Sequence, residues 1–191
     1  MRGADPEIGW TIVTNKICVL TCHNFAREVA ACVVAQAAEE ITVETFAGAC
    51  LRPATDHAAL TQAVQELTQA HVKVALFGGR CLAGLQGLPD GDQVAVCTAD
   101  SCPELALNRP VIQAYTAAGA YVTTPGWLAD WARLIERDGL DRAGLRELLG
   151  EATQRILLLD TGVYDDSADR LAAFAKFVGL PGEILPVGLD S

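Results

Sequence analysis

Four cysteines stand just beyond runs of apolar, largely β-branched residues. Cys22 closes "KICVLTC", Cys50 lies four residues past "ITVETF", Cys81 ends the "FGGRC" turn after "HVKVALF", and Cys102 sits in the loop after "DQVAVC". Such runs read as core strands, and in an open parallel sheet the loops leaving the carboxyl ends of the strands gather on one edge. Four thiols from separate segments are thereby delivered to one place. A converging set of thiolates is a soft donor set, suited first to an iron–sulfur cluster and next to tetrahedral zinc. Gly78 and Gly79, with Gly48 ahead of Cys50, let the backbone approach a bound group and offer N–H donors to sulfur. His23, beside Cys22, is a further candidate as ligand or proton shuttle, against the plainer role of a polar residue near a helix start.

The chain has seven cysteines and no C-x-x-C pair, so convergence follows from topology and not from ligand spacing. Cys18, inside a strand, and Cys32, on the apolar face of a helix, are expected in the core, where free cysteine behaves as a small hydrophobe. Cys97, five residues before Cys102, is a reserve ligand.

Strand-like and helix-like patterns alternate along the chain. After the run at 16–22, Asn24 can cap a helix whose apolar face is Phe25, Val29, Cys32 and Val33. A second helix starts near Asp56, with Thr55 as its cap and Leu60, Val64 and Leu67 inward. The runs at 71–77 and 92–97 follow, then "AYVTT" at 120–124, a helix carrying Trp127, Trp131, Leu134 and Ile135, a polar helix around "DRAGLRELLGEA", "RILLLD" at 155–160, a helix with Leu171, Phe174, Ala175 and Val178, and a last strand around "EILPV". The fold class is α/β: a Rossmann-like open, mostly parallel sheet with helices on both faces, either one domain over 1–191 or two small lobes over 11–109 and 110–191.

Bulk properties narrow the classes of function. With 14 Lys and Arg against 24 Asp and Glu, the net charge of −10 repels phosphate backbones, and there is no basic cluster with interleaved aromatics, so no nucleic-acid partner is expected. No apolar run reaches the roughly 18–20 residues of a membrane helix. "MRGADPEIGW" has no apolar segment after its arginine, which points to a cytoplasmic protein whose thiols stay reduced. G-x-G-x-x-G, G-x-x-x-x-G-K and nucleophile-elbow motifs are missing, so nucleotide-dependent and acyl-transfer chemistry have no support.

The blocks "CHNFAREV", "ACLRP", "FGGRC", "DSCPEL", "AYVTTPGW" and "LLLDTG", in this order over nearly the whole chain, resemble the family known as domain of unknown function 1638. The resemblance supplies context and no activity: such proteins come mostly from anaerobes and are often encoded near corrinoid-dependent methyltransferases and their activators. It implies a corrinoid protein or methyltransferase as partner and admits a corrinoid as a less favoured cofactor. It also matches recurring cysteines to Cys22, Cys81 and Cys102, an acidic residue to Glu28 and a glycine to Gly79. Many relatives carry a leucine–histidine pair near the place of Cys50; both residue types are metal ligands, so the exchange favours a metal site over a shared catalytic mechanism.

The remaining features have plainer readings. Glu28 is expected as a solvated carboxylate facing the helix dipole, and His57 and His71 as exposed residues flanking a helix. Arg80 and Arg109 could hold an anion. Asp160 in "LLLDTG" is expected to shape a turn with Thr161 and Gly162, and the Trp127–Trp131 stripe to be core. Two other classes of function stand beside the metal centre. One is a metal-free enzyme or small-molecule binder using Cys81 as nucleophile, helped by Asp160 or His23. The other is a non-enzymatic interaction module in which the cysteines are core; under any of these readings the chain could form a homo-oligomer.

Overall fold

The computed structural model describes residues 16–48, 57–70, 72–89 and 92–189. The first half builds a parallel sheet from β1 (Ile17–Cys22), β2 (Ile41–Phe46), β3 (Lys73–Gly78) and β4 (Val94–Thr98), in the order β2-β1-β3-β4. The second half builds a separate parallel sheet from β5 (Ala120–Thr123), β6 (Arg155–Asp160) and β7 (Gly182–Pro186), in sequential order. The α/β reading therefore holds, with two sheets in place of one continuous sheet.

Six α-helices connect these strands among the described residues: α1 (Ala26–Ala35), α2 (His57–Gln69), α3 (Arg109–Ala117), α4 (Pro125–Arg137), α5 (Arg142–Leu149) and α6 (Ser167–Val178). The continuous apolar run of β6 shows why its sheet is covered on two faces. Ile156 and Leu158 join Trp127, Leu134, Leu145, Phe174 and Val178 in one cluster, while Leu157 and Leu159 join Ile112 and Ala120 in another. In the first half, Leu20, Val74 and Leu76 pack with Leu60 and Val64 of α2. Burying each such side chain contributes about 1.5–3 kcal/mol relative to leaving it in water.

Local chemistry sets several helix ends. The Asn108 side chain accepts a hydrogen bond from the amide of Val111 at the start of α3, Asp141 does the same for Gly144 in α5, and Gly179 adopts the left-handed conformation that closes α6. α3 is not among the expected helices, although its cap at Asn108 and its early proline, Pro110, are a recognisable start signal. Thr55, Asp56, His71 and Cys50 lie outside the described residues.

The first helix departs from expectation in an informative way. Asn24 does not cap it: the chain makes a tight 3-10 turn at His23–Phe25 first, and Asn24 is buried. The turn is where the two halves meet. Gly126, in the first turn of α4, closes onto the backbone of Asn24 so tightly that a Cβ would lie 1.8 Å from the Asn24 carbonyl oxygen. We therefore expect Gly126→Ala to destabilise the protein by at least the 1–3 kcal/mol that overpacking typically costs. Gly144→Ala, which meets only ordinary contacts inside α5, should instead gain up to about 1 kcal/mol from helix propensity. Chemical denaturation of both variants checks the contrast, and equal midpoints would contradict it.

Candidate functional site

The strand register aligns the carboxyl edge of the first sheet. Cys22 pairs with Phe46 and Gly78 with Thr98, so the last residues of β1, β2, β3 and β4 form one row. Cys22 is fully buried at the end of β1. After β3, a second 3-10 turn at Arg80–Leu82 carries Cys81, and after β4 a third at Cys102–Leu105 begins with Cys102. Both cysteines are partly buried.

The glycine pair explains how these turns come together. A Cβ at Gly78 would lie 3.3 Å from Cys81 Sγ, and a Cβ at Gly79 would lie 2.9 Å from the Cys102 amide nitrogen and 3.0 Å from Cys102 Sγ. Two thiols thus stand against consecutive glycines, and the Cys102 backbone comes as close as it does because Gly79 has no side chain. The turn is held from both sides: His57 Nε2 lies 3.1 Å from the Cys81 carbonyl oxygen, and Thr98 Oγ1 donates to the Gly79 carbonyl at 3.4 Å. His57 is therefore a partly buried fastener of the Cys81 turn and not the exposed residue its position suggests.

Not every expected residue joins this edge. His23 accepts from the Gly48 amide at Nδ1 (3.3 Å), and its Nε2 lies 3.2 Å from Asp130 Oδ2 in α4. Both nitrogens face protein groups, so His23 ties the end of β2 to α4. Asp130 is held below the usual carboxylate range, chiefly by its hydrogen bond to Arg133 and to a smaller degree by His23. Asp160 accepts from the Gly162 amide at 3.1 Å, the turn-forming role expected of it. Arg109 pairs with Asp100, and Arg80 is exposed. Cys18 is core, and burial pushes its thiol up. Cys32 and Cys97 are exposed, against the core placement expected for Cys32, because the stripe of α1 on which it stands runs out into a cavity. Trp127 is core and Trp131 partly buried against it, both packed on Phe174 at 5.1 and 5.3 Å between ring centroids. Among the described residues, no group of three or more His, Cys, Asp or Glu side chains is already assembled as a metal site.

The carboxyl ends of the two sheets face a shared cleft. Asn24 and Cys102 from the first half line a cavity of about 190 Å³ together with Tyr121, Thr123, Thr124 and Trp127 from the second. A buried hydrogen bond crosses nearby: Thr161 Oγ1, just past β6, donates to Glu28 Oε1 at 3.2 Å across 133 residues of sequence. Glu28 is 5% exposed, not solvated as its place in the first turn of α1 suggests. Beside it, Arg27 lies 4.2 Å from the centre of the Tyr164 ring, and burial, then the Glu28 charge, pushes the Tyr164 hydroxyl up to about 12. Besides the family resemblance, the sequence signal for Glu28 is its spacing: it falls one turn before Cys32 on a helix otherwise apolar on that side.

Paired parallel α/β sheets whose strand ends meet in a cleft define a two-lobed, Rossmann-like protein. The chain belongs to the family described as "Protein of unknown function (DUF1638)", whose profile matches residues 52–191. That span holds Gly79, Cys81, Cys102 and Thr161 and begins after Cys22, Glu28 and Cys50. Comparison with curated proteins and with solved structures finds no match.

Burial is the main reason the Glu28 carboxyl is raised above its ordinary 4.5; its own backbone amide, the Thr161 hydroxyl and Arg27 oppose the shift. The folded chain therefore holds this proton more tightly than the unfolded one, so the native state loses stability as pH rises from the unfolded value through the folded one. Below that window the penalty is absent; above it the penalty is complete. We expect Glu28→Gln to gain stability relative to the wild type as pH rises across the window and then to level off. Urea midpoints of the two proteins over a pH series measure this, and a difference independent of pH would show that Glu28 titrates as it does in the unfolded chain.

Proposed function

We propose that the protein binds a thiolate-held metal centre, an iron–sulfur cluster in preference to zinc, at the carboxyl edge of its first sheet. The observation that carries this reading is the seating of the Cys81 and Cys102 thiols against Gly78 and Gly79, in the row where β1 ends in Cys22. Cys50 is the fourth ligand of the proposal. Gly78 and Gly79 would border the centre, and a cluster, when bound, supplies one-electron chemistry. The chain's own part is to hold the thiolates, to keep water from the buried side at Cys22, and to leave the Cys102 side open to the cleft. A role in electron transfer, sensing or cofactor handling follows, and the family resemblance adds a corrinoid protein or methyltransferase as the partner we attach to it. Metal binding displaces thiol protons, so loading should fall as the solution is acidified.

A second reading draws on Cys102 in the inter-lobe cavity. There a cysteine-dependent enzyme or metal-free binder would use one accessible thiol, with Cys81 in the neighbouring turn as the other candidate. The two readings separate on protein purified without oxygen. Iron with acid-labile sulfide and a visible charge-transfer band is the expected result, and Cys22→Ser, Cys81→Ser and Cys102→Ser should each lower the iron content severalfold. Zinc without sulfide would replace the cluster by a structural site. If all three variants keep the iron content of the wild type, the metal-centre proposal fails.

A further inference from the structure

The cavity beside Glu28 uses none of the proposed cysteine ligands. It has a volume of about 280 Å³ and lies between α1, the end of β3, the turn after Cys102 and the loops that follow β6 and β7. Phe25, Phe77, Val29 and Leu105 are among its walls, and Glu28 and Thr161 supply most of its polar character. An apolar cavity of about 150 Å³ accepts a benzene ring, so this one has room for a ring with a short polar arm. It runs under α1 to Val19 in the middle of β1 and reaches the carboxyl ends of β3, β6 and β7, the side where ligands bind in folds of this kind.

Its polar groups are not balanced. A carboxylate offers acceptor positions on both oxygens, and Thr161 occupies one at Oε1. Glu28 Oε2 is buried and has no hydrogen-bond partner. A buried acceptor left unmade is costly, and natural structures keep such groups chiefly where something else completes them. The missing element is a donor, and a charged donor offsets the buried carboxylate best. Phe25 and Phe77 meet edge to face at 6.0 Å between centroids, offering aromatic surface to an apolar or cationic guest. The net charge of −10 raises the local concentration of cations and disfavours anions.

We propose that this cavity is a binding site for a small, mainly apolar amine, whose ammonium group pairs with the Glu28 carboxylate while its hydrocarbon part lies against Phe25, Phe77 and Leu105. The site is independent of the metal-centre reading, although the two share the segment that joins β1 to α1.

The test uses three probes of one shape and different charge: benzylamine, benzyl alcohol and benzoate, titrated calorimetrically into the full chain. Benzylamine should bind about tenfold more tightly than benzyl alcohol, the difference expected between a charge-assisted and a neutral hydrogen bond, and benzoate should not bind. Glu28→Gln should abolish that preference. Should Glu28→Gln not fold, Ala106→Leu, which fills the cavity from its loop side, should abolish binding of benzylamine and benzyl alcohol. The proposal is overturned if no probe binds the wild type, if benzyl alcohol or benzoate binds as well as benzylamine, or if the preference survives either substitution. Iron content measured on the same preparations reports separately on the cysteine edge, so the failure of one site is not mistaken for failure of the other.

Discussion

The structure depends on how the segment from His23 to Glu28 seats against the second half of the chain. Gly126 lets the start of α4 close onto the Asn24 backbone, His23 meets Asp130, Arg27 covers the Tyr164 ring, and Glu28 accepts from Thr161. Taken singly, the polar contacts are modest, since exposed ion pairs are worth about 1 kcal/mol or less and a typical hydrogen bond about 0.5–1.5 kcal/mol net. The glycine contact differs in kind, because it is a matter of excluded volume and tolerates no side chain. Together they turn the carboxyl edge of the first sheet toward that of the second, and the cavities exist because of that orientation.

That same segment separates two kinds of chemistry. At its start, β1 delivers Cys22 to the row that Gly78 and Thr98 continue, where sulfur and backbone amides are the available groups. At its end, the first turn of α1 carries Glu28 into an apolar enclosure, where one carboxylate oxygen is satisfied and the other is not. A fold gains nothing in stability from the second arrangement, since burial works against the charged form. Departures from local preference of this sort are where function is expected to reside.

Much of the architecture was legible because it depends on period and composition. The "RILLLD" run could only be a strand covered on both faces, and the Trp127–Trp131 stripe could only be buried by neighbours such as Phe174. The strand ends carrying Cys22, Cys81 and Cys102 were equally readable, as was the turn at Asp160. What escaped were positions whose environment is made by distant residues. Asn24 reads as a helix cap but is buried beneath α4, and Cys32 reads as core but is exposed. Glu28 reads as solvated because a charged residue in a first helical turn usually is, and His57 as exposed because nothing near it in sequence predicts its bond to the Cys81 carbonyl.

By itself, then, the sequence determined the alternation of strands and helices, the parallel character of the sheets and the delivery of cysteines to strand ends, because each follows from interactions within a few residues or from the simple need to bury apolar runs. Only the tertiary structure decided that there are two sheets, that Gly78 and Gly79 draw the Cys81 and Cys102 turns close, and that Glu28 is enclosed opposite Thr161. Those outcomes depend on steric fit between segments far apart in the chain. A pattern in one segment can state what it must bury, but not which partner will bury it.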